Sequence, residues 1–318
     1  MSANEPPAGL DEPGVSAEEQ AESLARVERG GIPLAAERRL KEIGEQGGAF
    51  TSDLSVADFA LCHRLGLRPV AQVMGSSIYQ VGYQSTPWPS AMGGGFMFEM
   101  EALSEAWNEV RGRALSRLAQ EAAHVGADAV IGVDLRTGAH DWAENSIEYV
   151  VVGTAVRYGD GSSKTAQPTI RSSSRPTADP VLTELSVADF TKLLSSGIEP
   201  RGIVAWSSVF FVGASYSTQM MGMGGLGFTQ NQELPEFTRG VYSAREIAVG
   251  RLTEQATRLD ASGVIGVRIA HDIQRTTVGA GTYSRGGLMA SFHVIGTAVR
   301  DDGSAPPPAP ETTIDLTT

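Results

Sequence analysis

Apolar residues recur at three- and four-residue steps along two long stretches of the chain. Leu103, Trp107, Val110, Ala114, Leu118, Ala122 and Val125 line one face of the first, and Phe237, Val241, Ala244, Ala248, Leu252, Gln255 and Leu259 repeat the spacing in the second. This predicts a long amphipathic helix in each. Gly126 stops the first helix; in the second its place is taken by Asp260, a residue type that visits the left-handed region more easily than most. Ahead of each helix the pattern turns to the β type, in "PVAQVMGSSIYQVG" (69–82) and "PRGIVAWSSVFFVG" (200–213), each opened by a proline that cannot donate to a ladder. Behind each helix stands a pair of strand-like runs that reads as a β-hairpin, "AVIGVDLR" with "IEYVVVGTAVR" and "GVIGVRIA" with "SFHVIGTAVR". A short helix starts in front of each unit. Ser55 precedes Asp58 and Ser186 precedes Asp189 by three residues, so the hydroxyl can accept orphan amide protons while the acid favours the positive helix end.

The parallel between the halves extends to identity. "LSVADF" occupies both 54–59 and 185–190, "ADAVIGV" (127–133) matches "ASGVIGV" (261–267), and "VVGTAVR" (151–157) matches "VIGTAVR" (294–300). The chain is therefore a tandem duplication. The fold class is α+β, two copies of a strand-helix-strand-strand unit with the long helix on an antiparallel sheet, each preceded by a short helix. One helix on one face of a small sheet leaves the other face bare, and burying it against another copy is the economical solution. We expect the copies to pack together and whole chains to oligomerise. The expected organisation is an acidic N-terminal segment (1–48), partly helical with a disordered start; a first copy (49–158); a flexible Ser/Thr/Pro/Gly-rich linker (159–180); a second copy (181–300); and a disordered acidic, Pro-rich tail (301–318).

Charge and cysteine content narrow the function classes. The net charge of −12 resides mostly in the ends, with −5 in residues 1–48 and −4 in 301–318, which favours solubility over a cationic partner. No Lys/Arg cluster is interleaved with aromatic residues, so nucleic acid is not an expected partner. The one cysteine, Cys62, excludes an intrachain disulfide and a thiolate cage within one chain. With no export signal and no long apolar run, neither membrane insertion nor secretion is expected, and the expected compartment is the cytoplasm.

The succession of "GSSIYQVG", a long helix, "VGADAVIGVDL" and "VVGTAV" resembles the YbjQ family of small bacterial proteins, labelled heavy-metal-binding. The match runs from about Pro69 to Arg157 in the first copy; the second departs from it with "LDASGVIGV". The resemblance implies a dodecin-like fold for each unit and a homo-oligomer, the single-copy members forming ring-like pentamers. It brings no catalytic residue.

Candidate chemistry is sparse. The family label directs attention to His140, Asp141 and Glu144 in "HDWAE", with His271 and Asp272 in the equivalent hairpin, as ligands for a divalent ion. No His or Cys pair has local zinc-site spacing, and polar hairpin tips commonly carry such residues. Met92 and Met97 flank "GGGF", and Met220, Met221 and Met223 lie in "QMMGMGGLGF". Thioethers suit Cu(I), but flexible methionines beside glycines equally suit an adaptable contact with a protein partner, the reading we prefer. "GMGGLG" (222–227) matches a dinucleotide fingerprint only formally, because the flanking topology is not a parallel βαβ unit. Ser76-Ser77 and Ser207-Ser208 fall mid-strand with no nameable base, and read as buried or contact serines. Cys62 reads as a packing cysteine. Glu105, Arg113, Arg117 and Glu121 read as a solvated helix face. The leading expectation is a non-enzymatic cytoplasmic homo-oligomeric assembly protein with no cofactor, presenting its Gly/Met-rich loops to a partner. A heavy-metal-binding protein is the alternative. A dodecin-like small-molecule carrier, using Trp206, Phe210 and Phe211, is a third.

Overall fold

The computed structural model describes residues 16–46, 50–81, 96–138, 146–158, 179–213, 233–278 and 285–301. Of the regions expected to be disordered or linking (1–15, 159–180 and 301–318), all but residues 179, 180 and 301 lie outside these. Two helices come first, α1 (Ala17–Glu28) and α2 (Leu34–Gln46). The first unit follows, with α3 (Val56–Arg64), β1 (Leu67–Gln80), β2 (Phe96–Glu99), α4 (Glu101–His124), β3 (Ala129–Gly138) and β4 (Ser146–Tyr158). The second unit holds β5 (Val181–Leu182), α5 (Val187–Ser195), β6 (Glu199–Gly213), α6 (Pro235–Arg258), β7 (Gly263–Val278) and β8 (Arg285–Arg300).

The local signals act as their chemistry dictates. Ser55 Oγ accepts from the Asp58 amide and Ser186 Oγ from the Asp189 amide, both at 3.1 Å, capping α3 and α5. Gly126 and Asp260 end the long helices with φ of 64° and 56°. Pro69 and Pro200 each sit at a register shift one strand-turn in, where a missing donor costs the ladder nothing.

Each unit builds a three-stranded antiparallel sheet whose middle strand is the last one, and each sheet is completed by the other half. The orders are β1-β4-β3-β5 and β2-β6-β8-β7. β5 adds in parallel to β3, while β2 adds antiparallel to β6. The long helices cover one face of their own sheet, through Val110, Ala114, Leu118 and Ala122 in the first unit and Ala244, Ala248, Leu252 and Ala256 in the second.

Helix and strand exchange volume between the copies. At Gly75 an added Cβ would lie 1.9 Å from the Ala114 carbonyl oxygen, so α4 rests directly on strand backbone. The equivalent β6 residue is Trp206, and α6 makes room with Ala244 where α4 carries Val110. Gly75→Ala should push α4 off its sheet and cost about 1–3 kcal/mol in urea unfolding; an unchanged midpoint would refute that packing.

One expectation is overturned. Arg117 and Glu121 are buried instead of solvated, because the α1–α2 pair lies over this side of α4. Arg117 donates to the carbonyls of Gly31 (3.1 Å) and Val27 (2.8 Å), and Glu121 accepts from the Met74 amide (2.8 Å) and from Arg39 (3.1 Å). Burial pulls the Arg117 pKa down and pushes that of Glu121 up. Arg113, by contrast, does pair with Glu109 on the exposed face at 2.7 Å.

Candidate functional site: the junction between the units

Where the two units meet, α4 does double duty. One side packs on its own sheet, and Ser104, Asn108 and Arg111 reach from the other side to β6. Ser104 Oγ accepts from the Val209 amide at 2.9 Å. Asn108 both accepts from the Ser207 amide (2.9 Å) and donates to the Ser207 carbonyl (2.8 Å). The Arg111 guanidinium donates to Ser207 Oγ (2.7 Å), to the Ala205 carbonyl (2.9 Å) and to Asn108 Oδ1. These three acceptors are neutral, and burial lowers the pKa of the cation, offset in part by Tyr149.

Ser207 Oγ also lies 2.8 Å from His293 Nδ1 on β8, and the His293 ring meets Trp107 of α4 edge-on at 4.8 Å. The hydroxyl accepts a hydrogen bond from Arg111 and can donate one to a neutral imidazole. His293 is held in that neutral form, its pKa depressed to about 4 by burial first and by the Arg111 charge second, against an opposing pull from Asp272. A serine beside a histidine invites comparison with a nucleophile and its base. Here Ser207 is fully buried, and a base with so low a pKa holds little proton-accepting power near neutrality. The pair lies within the second unit, and Arg111, Asn108 and Trp107 of α4 tie it to the first as a lock between units. Sequence reading placed Ser207 at a contact but missed His293 and Arg111; aligning the copies exposes the signal, since His293 stands where the first copy has Val150, and Asn108 where the second has Tyr242.

The second half of the junction is apolar. α5 lays Val187, Phe190 and Leu194 on the outer face of the first sheet against Ala129, Ile131 and Val156, beside Cys62 of α3. The Cys62 thiol is pushed up to about 11 by burial and by Asp58, so it stays protonated at neutral pH and is a packing group. The β5 segment is stitched to β3 by Val181 and Thr183 amides donating to Asp128 and Val130 carbonyls, at 3.1 and 2.9 Å. Thr183 Oγ1 is 3.0 Å from Thr297 Oγ1 on β8 of the other sheet.

His140, Asp141 and Glu144 lie outside the described residues, as do Met92, Met220, Met221, Met223 and the "GMGGLG" stretch. His271 is exposed on β7 and stacks on Phe292 at 5.8 Å, and Asp272 accepts from Gln274 on the same strand. Among the described residues no three His, Cys, Asp or Glu side chains gather as a metal would require. Met97 sits on β2 opposite Val212 and packs into the second core. Trp206 and Phe210 fill that same core, with Arg251 placed 5.7 Å from the centre of the Trp206 ring, and Phe211 packs on Phe98 from the first unit at 5.5 Å.

Two sheet-and-helix units that exchange strands and share a helix define a duplicated α+β protein. The model of the YbjQ family, described as "Putative heavy-metal-binding", matches residues 90–159 and 220–302, once in each unit. The chain belongs to this family. It is 35% identical over 272 residues to the encapsulin nanocompartment protein Rv1762c of Mycobacterium tuberculosis, covering 86% of this chain and 92% of that relative. A UPF0145 protein of Thermus thermophilus is 40% identical over 78 residues, 24% of this chain and 59% of its own length. No solved structure matches the chain significantly. No helix among the described residues is long and apolar enough to cross a membrane.

Proposed function

We propose that this protein is a non-enzymatic assembly protein whose chains associate into a cytoplasmic homo-oligomer. One observation carries the reading: the hexapeptide Leu-Ser-Val-Ala-Asp-Phe serves opposite purposes in the two copies. In the second, Val187 and Phe190 are 2% and 0% exposed under the junction; in the first, Val56 and Phe59 are 88% and 42% exposed. An identical apolar helix face that is buried in one context and bare in the other is a docking face without a partner among the described residues. Burying one such side chain is worth about 1.5–3 kcal/mol, enough for two or three to hold a weak association together. The name of the M. tuberculosis relative, which is that of a nanocompartment protein, supports an assembly role.

Native mass spectrometry and light scattering of the untagged full chain test this directly. Multiples of the single-chain mass are expected at micromolar concentration. A strict monomer overturns the reading.

A further inference from the structure

The internal junction has two halves, and each end of the chain displays one of them without its mate. At the N-terminal end, Val56 and Phe59 of α3 are the counterparts of Val187 and Phe190. Phe59 stacks on Phe50 at 5.6 Å, in the segment equivalent to β5. On the same unit, Met74 and Ile78 of β1 are 47% and 51% exposed, whereas their counterparts Ala205 and Val209 are buried under α4. At the C-terminal end, β7 is the outer strand of its sheet and no strand pairs with its free edge among the described residues. Its Val267 is exposed where Val133 is buried, and its Ile265 is half-buried where Ile131 is fully covered by the α5 side. Tyr242 on α6, the counterpart of Asn108, is exposed as well.

We propose that the C-terminal face of one chain (α6 and the β7 edge) docks onto the N-terminal face of a second copy (residues 50–54, α3 and the outer face of β1), repeating between chains the junction found within each. This rests on the assembly reading above and gives it a surface, a direction and a register. Parallel pairing of Ala129 with Val181 and Val130 with Leu182 carries over to Gly263 with Phe50 and Val264 with Thr51. The contact is head-to-tail, so it closes as a ring or continues as a filament.

The chemistry of this second junction differs from the first. Asn108, Trp107, Ser207 and His293 become Tyr242, Val241, Ser76 and Val150, with Met74 and Ile78 in place of Ala205 and Val209. The junction between chains keeps an arginine and two hydroxyls, Arg245, Thr238 and Ser76, at the places of Arg111, Ser104 and Ser207, but exchanges the asparagine and histidine of the polar lock for a tyrosine and a valine. Pairing two first units would set the Asn108–Arg111 pair against Val150 and deny it the His293-bound serine; pairing two second units would drive Tyr242 into the Ser207–His293 site. Those mismatches enforce strict alternation of first and second units.

The test uses two full-length variants. Phe59→Glu destroys the N-terminal face and Val267→Glu the C-terminal face; both replace exposed side chains, and circular dichroism checks that each folds. Each variant alone should fall to the mass of a single chain in native mass spectrometry. Mixed, they should form a one-to-one dimer through the two intact faces and go no further. A complementary variant carrying Thr51→Cys with Val264→Cys should give an interchain ladder on short bismaleimide treatment, which neither single cysteine variant gives. An oligomer that persists in both glutamate variants, or a double-cysteine variant that oligomerises without cross-linking, overturns the docking mode and leaves the assembly reading standing. A wild-type monomer overturns both.

Discussion

Phe190→Ala is expected to cost the chain about 3–5 kcal/mol, and Phe59→Ala, the same change in the same hexapeptide, at most about 1 kcal/mol in the isolated chain. Phe190 is fully buried among Ile131, Val156, Val187 and Leu194, so truncating it removes its transfer energy and leaves a cavity between two elements that cannot easily collapse. Phe59, 42% exposed and stacked on Phe50, has much less to lose within its own chain. Its remaining contribution is expected between chains, and mass action gives that a signature: the stability lost at Phe59 should grow with protein concentration while the loss at Phe190 stays constant. Urea unfolding of both variants and the parent at two concentrations tenfold apart separates the cases. Equal, concentration-independent losses would mean that α3 is already sealed by its own chain, and the idea of a waiting face would fall.

What could be read from the sequence, and what could not, follows the range of the interactions. The serine-aspartate caps of α3 and α5, the left-handed stops at Gly126 and Asp260, and the periodicity of α4 and α6 are decided within a few residues, and all were legible. The exchanged strands were not. β2 and β5 are 4 and 2 residues long, too short for any alternation to show, and what makes them strands is the open edge of the other unit. Arg117 and Glu121 looked solvated because helical spacing says only which residues share a face; that α1 and α2 lie upon that face is a tertiary fact. His293 and Ser207 are 86 residues apart, and neither has a neighbour that announces the pairing. The copies themselves hold the missing information, since a repeat that keeps its framework but changes Val150 to His293 and Tyr242 to Asn108 is marking two junctions of unlike chemistry.

That polar lock should make the chain acid-sensitive. The His293 pKa is about 4 in the folded chain against 6.5 for a free histidine, so between those values the unfolded chain binds more protons. The stabilisation is fully present above pH 6.5, declines as pH falls through this window and is lost below 4. It amounts to about 2–3 kcal/mol, allowing for partial solvent screening. Protonation would set a second cation beside Arg111 and convert the Nδ1 acceptor of the Ser207 hydroxyl into a donor, and Asp272 only partly compensates. Carboxylates titrate near the lower end of the same range, so the informative quantity is a difference: urea unfolding from pH 7 to 4 should show a shallower slope for His293→Gln than for the parent, by up to one proton. Arg111→Met should act in the opposite place. It strands the Ala205 carbonyl and costs about 1–3 kcal/mol at pH 7, yet by removing the neighbouring charge it lets His293 titrate closer to its usual value and narrows the acid-sensitive window. Identical pH slopes in parent and His293→Gln would show that this imidazole is not what holds the junction at neutral pH, and the lock would have to be assigned to Arg111 and Asn108 alone.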